Sequence, residues 1–175
     1  MTSSLRLLTV LALALAAVAA VAASTSHAAR DLTRCRGAQL AGSFAVVPGS
    51  AGAGNIVYAL KLKNTSATAC AVTGLPMGRL LGRLKGPLPT HVRAAFPGAL
   101  TAILVKLQPG QSTRATARFS PDVAGTGEQM TGRCEPVAHW FRVAGQGGGW
   151  TLVKVVPPTS VCEHGRLSFS AYGPA

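Results

Sequence analysis

Hydrophobic and polar positions alternate with a period of two through most of the chain, most clearly in residues 55–76, NIVYALKLKNTSATACAVTGLP. There Ile56, Tyr58, Leu60 and Leu62 share one side while Val57, Ala59, Lys61 and Lys63 share the other. Successive side chains of a strand point to opposite faces, so this is a half-buried strand. It ends at Asn64-Thr65-Ser66. The short polar side chains of such a triplet hydrogen-bond their own backbone and turn the chain, and this triplet, which also fits the N-glycosylation pattern, is read as a turn. Similar alternation predicts strands over about 38–47, 101–107 and 113–119. In the last of these Ala115, Ala117 and Phe119 face inward and Arg114, Thr116 and Arg118 outward. Residues 77–84 read as an irregular strand with Gly82 a candidate bulge, and 91–95 as a short edge strand. Further strands are expected at 138–143, 150–156 and 166–172, the last with Leu167, Phe169 and Ala171 inward.

Glycine and proline separate these strands. Residues 48–54 and 145–149 are glycine-rich turns, and Gln108-Pro109-Gly110-Gln111 fits a β-turn. Residues 120–133 are polar and read as a long loop. No helical period shows beyond the first 28 residues. Short strands at about ten-residue spacing define an all-β fold. The expected form is an immunoglobulin-like antiparallel β-sandwich with two disulfides, and a closed barrel is the alternative.

The N-terminus has a different pattern. Arg6 precedes an apolar run from Leu7 to Ala23, and small residues follow. This predicts an export signal over 1–28, cut after Ala28 or after Ala23, and a single domain over 29–175 with its core at about 35–172. No second apolar run is long enough to span a bilayer. The four cysteines are Cys35, Cys70, Cys134 and Cys162. An even count in an exported chain reads as disulfides. Cys35 and Cys70 flank one expected hairpin, and Cys134 and Cys162 flank another. A hairpin brings its own ends together, which favours the pairs Cys35–Cys70 and Cys134–Cys162.

Charge narrows the function classes. There are 17 Lys and Arg residues against five acids, a formal net charge of +12. Loss of the signal removes only Arg6 from this excess. Such a surface attracts polyanions: an anionic cell-wall polymer, an acidic glycan or a membrane surface. An arginine- and alanine-rich composition yields the same excess with no partner. Lys61 and Lys63 share a strand face, as do Arg114 and Arg118, so these four are the candidate anionic-surface residues. Trp140 and Trp150 flank the 145–149 turn; one or both are expected in the core, with exposure beside the loop as the alternative. Nucleic acid is not an expected partner of an exported chain, despite the basic character.

The residues that carry chemistry are sparse. No Gly-x-Ser-x-Gly motif occurs, and cysteines in disulfides are no nucleophiles. No catalytic residue, metal or cofactor is expected, and the chain reads as a non-enzymatic binding or structural module. The competing reading is an extracytoplasmic enzyme or metal carrier using His139, Glu163 and His164, in which Cys134 and Cys162 would bring Glu135 and Glu163 near each other. Another is a protein inhibitor or adhesin that presents loop 120–133 or 144–149.

One sequence pattern resembles a known family. Cys35 opens the first strand; Cys70-Ala71-Val72-Thr73-Gly74-Leu75-Pro76 follows Asn64-Thr65; Leu107-Gln108-Pro109-Gly110-Gln111-Ser112 precedes a strand; Cys134 and Cys162 fall in the last third. From Cys35 to the C-terminus this is similar to the secreted four-cysteine family of actinobacteria known as domain of unknown function 4232. The resemblance implies export and a β-rich fold, and it carries no catalytic residues to transfer. The chain departs from the family in having Leu75 where an aromatic residue is frequent, and in lacking the lipid-attachment cysteine of many members.

Overall fold

Eleven strands carry the fold of residues 32–99 and 101–175, the part that the computed structural model describes. The export-signal reading of residues 1–28 lies outside it. In chain order the strands are β1 (Leu40–Val46), β2 (Ile56–Asn64), β3 (Cys70–Val72), β4 (Gly78–Leu81), β5 (His91–Ala94), β6 (Val105–Leu107), β7 (Ser112–Phe119), β8 (Ala138–Ala144), β9 (Trp150–Thr159), β10 (Arg166–Phe169) and β11 (Gly173–Pro174). The strand expected over 101–107 is formed only at its end, and Ile103 is exposed. Gly82 is no bulge; it opens a tight turn in which Gly82 N–H donates to the Gly86 carbonyl.

The all-β expectation holds, and so do both disulfides, Cys35–Cys70 and Cys134–Cys162. The sandwich does not describe the sheet. Hydrogen bonding runs without a break through β4-β8-β9-β1-β2-β7-β10-β5, and β11 adds to β7. Two of the pairings, β1 with β9 and β5 with β10, are parallel. The two ends of the path, β4 and β5, are consecutive in the chain. Leu88 N–H donates to the Leu80 carbonyl at 3.0 Å and Leu80 N–H to Thr90 Oγ1 at 2.9 Å, so the connecting segment folds back along β4. The result is a nearly closed barrel, with β3 and β6 pairing as a small separate ladder.

Inward positions from all round the sheet meet in one core. Phe44 of β1 lies 5.4 Å from Tyr58 of β2, 5.3 Å from Phe141 of β8 and 5.9 Å from Phe169 of β10, ring centre to ring centre. All four are fully buried. The period-two assignment of β2 and β7 holds for Tyr58, Leu60, Leu62, Ala115, Ala117 and Phe119, all inside; Ala59, expected outward, is buried as well, and Ile56 is only half-buried. In the last segment the parity slips. Ser170 N–H bonds the Thr116 carbonyl as the chain steps from β10 to β11, and Tyr172 goes inside in place of Ala171.

Asn64, the last residue of β2, is fully buried. Its Nδ2 donates to the carbonyls of Thr68 (2.8 Å) and Leu107 (3.0 Å), and its Oδ1 accepts from Ser66 N (3.0 Å) and Ser66 Oγ (2.8 Å). One side chain thus fastens β2 to the 65–69 turn and to β6. Asn64→Ala should lower stability by about 2–3 kcal/mol, since buried groups lose their partners. A urea midpoint within error of wild type would show that water replaces these bonds.

Candidate functional site

Strand register decides what the outside of the barrel presents. Lys154 of β9 is opposite Ser43 of β1, Ser43 opposite Lys61 of β2, and Lys61 opposite Arg114 of β7. Residues in register share a face, so a basic row crosses four strands. On the far side of β9, Trp140 of β8 is opposite Lys154. The ammonium groups of Lys85 and Lys154 lie 5.4 and 5.8 Å from its ring centroid, within cation–π range. Arg79 of β4 is opposite Arg142 of β8. No residue of the eleven strands is Asp or Glu.

Both tryptophans therefore belong to the outer face, against the core expectation. The inward positions of β8 and β9 are Phe141, Val143, Val153 and Val155, and alternation puts Trp140 and Trp150 on the opposite side. Trp150 is 57% exposed, and the Arg142 guanidinium lies 5.7 Å from its ring centroid. Beside it is a cleft of about 490 Å³ lined by Arg36, Ala38, Gly147, Gly148, Gly149 and Trp150. Glycine is required in its floor. A Cβ on Gly147 would come within 2.3 Å of the Arg34 carbonyl oxygen, and Gly148 holds φ 101°. A second groove, of about 290 Å³, is lined by Arg83, His139, Trp140, Lys154, Val155, Val156 and Pro158.

Glu128, Glu135 and Glu163 gather elsewhere. Glu128 and Glu135, on either side of Cys134, meet the turn that follows its disulfide partner Cys162. Glu163 and His164 both adopt left-handed backbone, φ 56° and 58°, and Gly165 continues it at 77°. Two non-glycine residues in that region cost stability unless other contacts hold them. Here the holder is Glu128. Its carboxylate accepts from Gly125 N (2.6 Å), Glu163 N (2.8 Å) and His164 N, and only 2% of the side chain is exposed, although the site lies close to the surface. Burial pushes this carboxyl up, but the three N–H bonds and the nearby His164 charge outweigh it and hold it down at about 2. Glu135 moves the opposite way, pushed up by burial first and then by its hydrogen bond with Glu128 and that carboxylate's charge. The His164 ring stands between them, Nδ1 3.6 Å from Glu128 Oε1 and 3.7 Å from Glu135 Oε1, with Nε2 3.0 Å from the Thr126 carbonyl.

These placements sort the sequence-derived candidates. His139, Glu163 and His164 do not converge. His139 lines the groove beside Trp140, Glu163 pairs with Arg166 at 3.2 Å, and the groups near the His164 ring are Glu128 and Glu135. Those three offer donor atoms within 4.8 Å of one another, the spacing of a cation site. Glu128, however, already spends both oxygens on backbone N–H groups, as a turn anchor does. Glu135 and Glu163, expected as neighbours, have separate partners. Lys61 and Arg114 are direct neighbours, with Lys63 one step further along the same face, opposite Ser112. Arg118 is outward too, but opposite Val57 at the far end of β7. Sequence reasoning missed Lys154, Arg142 and Arg79. Their outward parity was legible, but their nearness to the row depends on β9 lying beside β1.

A barrel-like sheet of mixed pairing closed over one aromatic core, held by two disulfides, defines a small disulfide-stapled all-β domain. Disulfides of this kind belong to an oxidising compartment. No described helix is long and apolar enough to cross a membrane. Within that class the chain belongs to the family described as domain of unknown function (DUF4232), whose model matches residues 35–172. The match runs from the first cysteine to the last buried tyrosine and takes in every strand but β11. No curated protein and no solved structure matches the chain.

Proposed function

We propose that this domain is an exported, non-enzymatic binding module that associates through the cationic outer face of its sheet with an anionic polymer of the cell envelope. The observation that carries the reading is the Lys154–Lys61–Arg114 row on a sheet with no acidic residue on any strand. A formal net charge of +12 draws polyanions to the molecule as a whole, and segregation of the acids leaves one face to receive them. A row that crosses four strands fits an extended polymer better than a small molecule.

Association of this kind releases counterions and weakens as salt screens it. Purified mature domain should be retained on anionic wall polymer at low salt and released along a salt gradient, with little retention on a neutral glycan. Charge reversal at Lys61, Lys63, Arg114 and Arg118 together should move release to markedly lower salt. Retention that does not change between low and high salt would remove the electrostatic reading.

A further inference from the structure

Charge is distributed along β9. The acid-bearing loop meets the Thr159 end, where Ser160 Oγ donates to the Glu135 carbonyl at 2.8 Å. Trp150 begins the other end, nine residues away, which is about 30 Å at the rise of an extended strand. Around Trp150 stand Arg36, Arg142 and, across the ladder from Arg142, Arg79. Both Arg36 and Arg79 are exposed. An indole left 57% exposed at a cationic pole, against a cleft floored by glycine backbone, is unlike the scattered single hydrophobics of an ordinary surface.

We propose that the Trp150 cleft is a subsite for an acidic saccharide, with the indole stacking on a sugar ring and Arg36 and Arg142 taking its carboxylate or phosphate groups. This rests on the anionic-polymer reading and names the chemistry of the ligand. The apolar faces of sugar rings stack on aromatic side chains, and guanidinium forks pair bidentately with carboxylate and phosphate. Arg142 covers one side of the indole, so the cleft side is where a ring would lie. The glycine floor brings no side chain up into that space. From Trp150 the outer face continues along β9 to Leu152 and Lys154, about 13 Å at strand rise, so a chain of sugars bound here would lead onto the basic row. A single-stranded nucleic acid could also use aromatic and cationic groups. The oxidising compartment that two disulfides call for favours the saccharide.

The test uses the mature domain carrying Trp140→Phe, which leaves Trp150 as the only fluorophore of its kind. An oligogalacturonate should shift and quench its emission with saturation. A neutral oligosaccharide, a phosphatidylglycerol vesicle and a single-stranded oligonucleotide should do so at least tenfold more weakly. Trp150→Ala, confirmed folded by circular dichroism, should lose at least tenfold in affinity by calorimetry, and Arg36→Ala with Arg142→Ala should lose as much while leaving Trp150 in place. Unchanged affinity in either variant, or equal binding of vesicle or oligonucleotide, would overturn the subsite. If retention on anionic polymer still falls with salt while Trp150→Ala binds as wild type does, the subsite fails and the broader reading stands. Absence of polyanion retention by the unsubstituted domain at low salt would remove both.

Discussion

Phe44→Ala should lower unfolding stability by about 3–5 kcal/mol, the range for a fully buried aromatic truncated to a methyl. The size follows from where Phe44 is. Its ring touches aromatic partners on three other strands, with centroids at 5.3 to 5.9 Å, and no part of it is exposed. Tyr58 and Phe119 extend the cluster at 5.2 Å. The four strands that meet here cannot collapse far into a void, because each is held by ladders on both sides. The cavity should therefore persist and the loss fall at the upper end. In thermal unfolding the shift should be on the order of 10 °C. Phe44→Leu, which keeps most of the volume, should cost much less. A Phe44→Ala midpoint within about 1 kcal/mol of wild type would mean that the ring does not sit at the centre of one shared core.

The second large effect is a pair of opposite results from two glutamates in one corner. Glu128→Gln should destabilise the domain at neutral pH by about 2–3 kcal/mol, because it removes the charge that strengthens three backbone bonds holding a left-handed turn. Glu135→Gln should be neutral or stabilising at the same pH, because it removes the second negative charge and its desolvation cost. The pH dependence follows from the directions of the two shifts. The folded-state value for Glu128 is depressed, so its contribution is complete above the ordinary carboxyl value of 4.5 and fades as pH falls toward about 2. Glu135 has a raised folded-state value, so its penalty is absent below 4.5 and grows as pH rises through that value. Urea unfolding at pH 7, 4.5 and 2.5 checks both. Wild type and Glu128→Gln should draw together at the lowest pH, and wild type and Glu135→Gln already at 4.5. A Glu128→Gln deficit that stays constant across this range would mean that the charge is not what holds the turn.

That corner was hidden from the sequence for a physical reason. Glu128, one of the chain's five acids, lies in a polar, glycine-rich loop, and nothing local marks it as buried. Its partners are the N–H groups of Glu163 and His164, 35 and 36 residues on, and backbone donors have no sequence signature. The signal that could have pointed there is Cys162-Glu163-His164-Gly165, where a glycine just after a cysteine allows left-handed backbone. The two residues before the glycine adopt it as well, which only the Glu128 contacts explain.

By itself the sequence determined whatever depends on local geometry. Period-two alternation fixed which residues of β2 and β7 face inward, because a strand's side chains must alternate wherever it lies. Hairpin connectivity fixed the two disulfides, because an antiparallel pair such as Leu40 with Asn64 brings its flanking residues together. Only the tertiary structure decided which strands are neighbours. The parallel contact of β1 with β9 and the near closure between β4 and β5 join segments far apart or folded back on each other, and alternation is the same for any choice of neighbour. That choice made one core of the aromatics and aligned Lys154, Lys61 and Arg114 in a row that no spacing along the chain could announce.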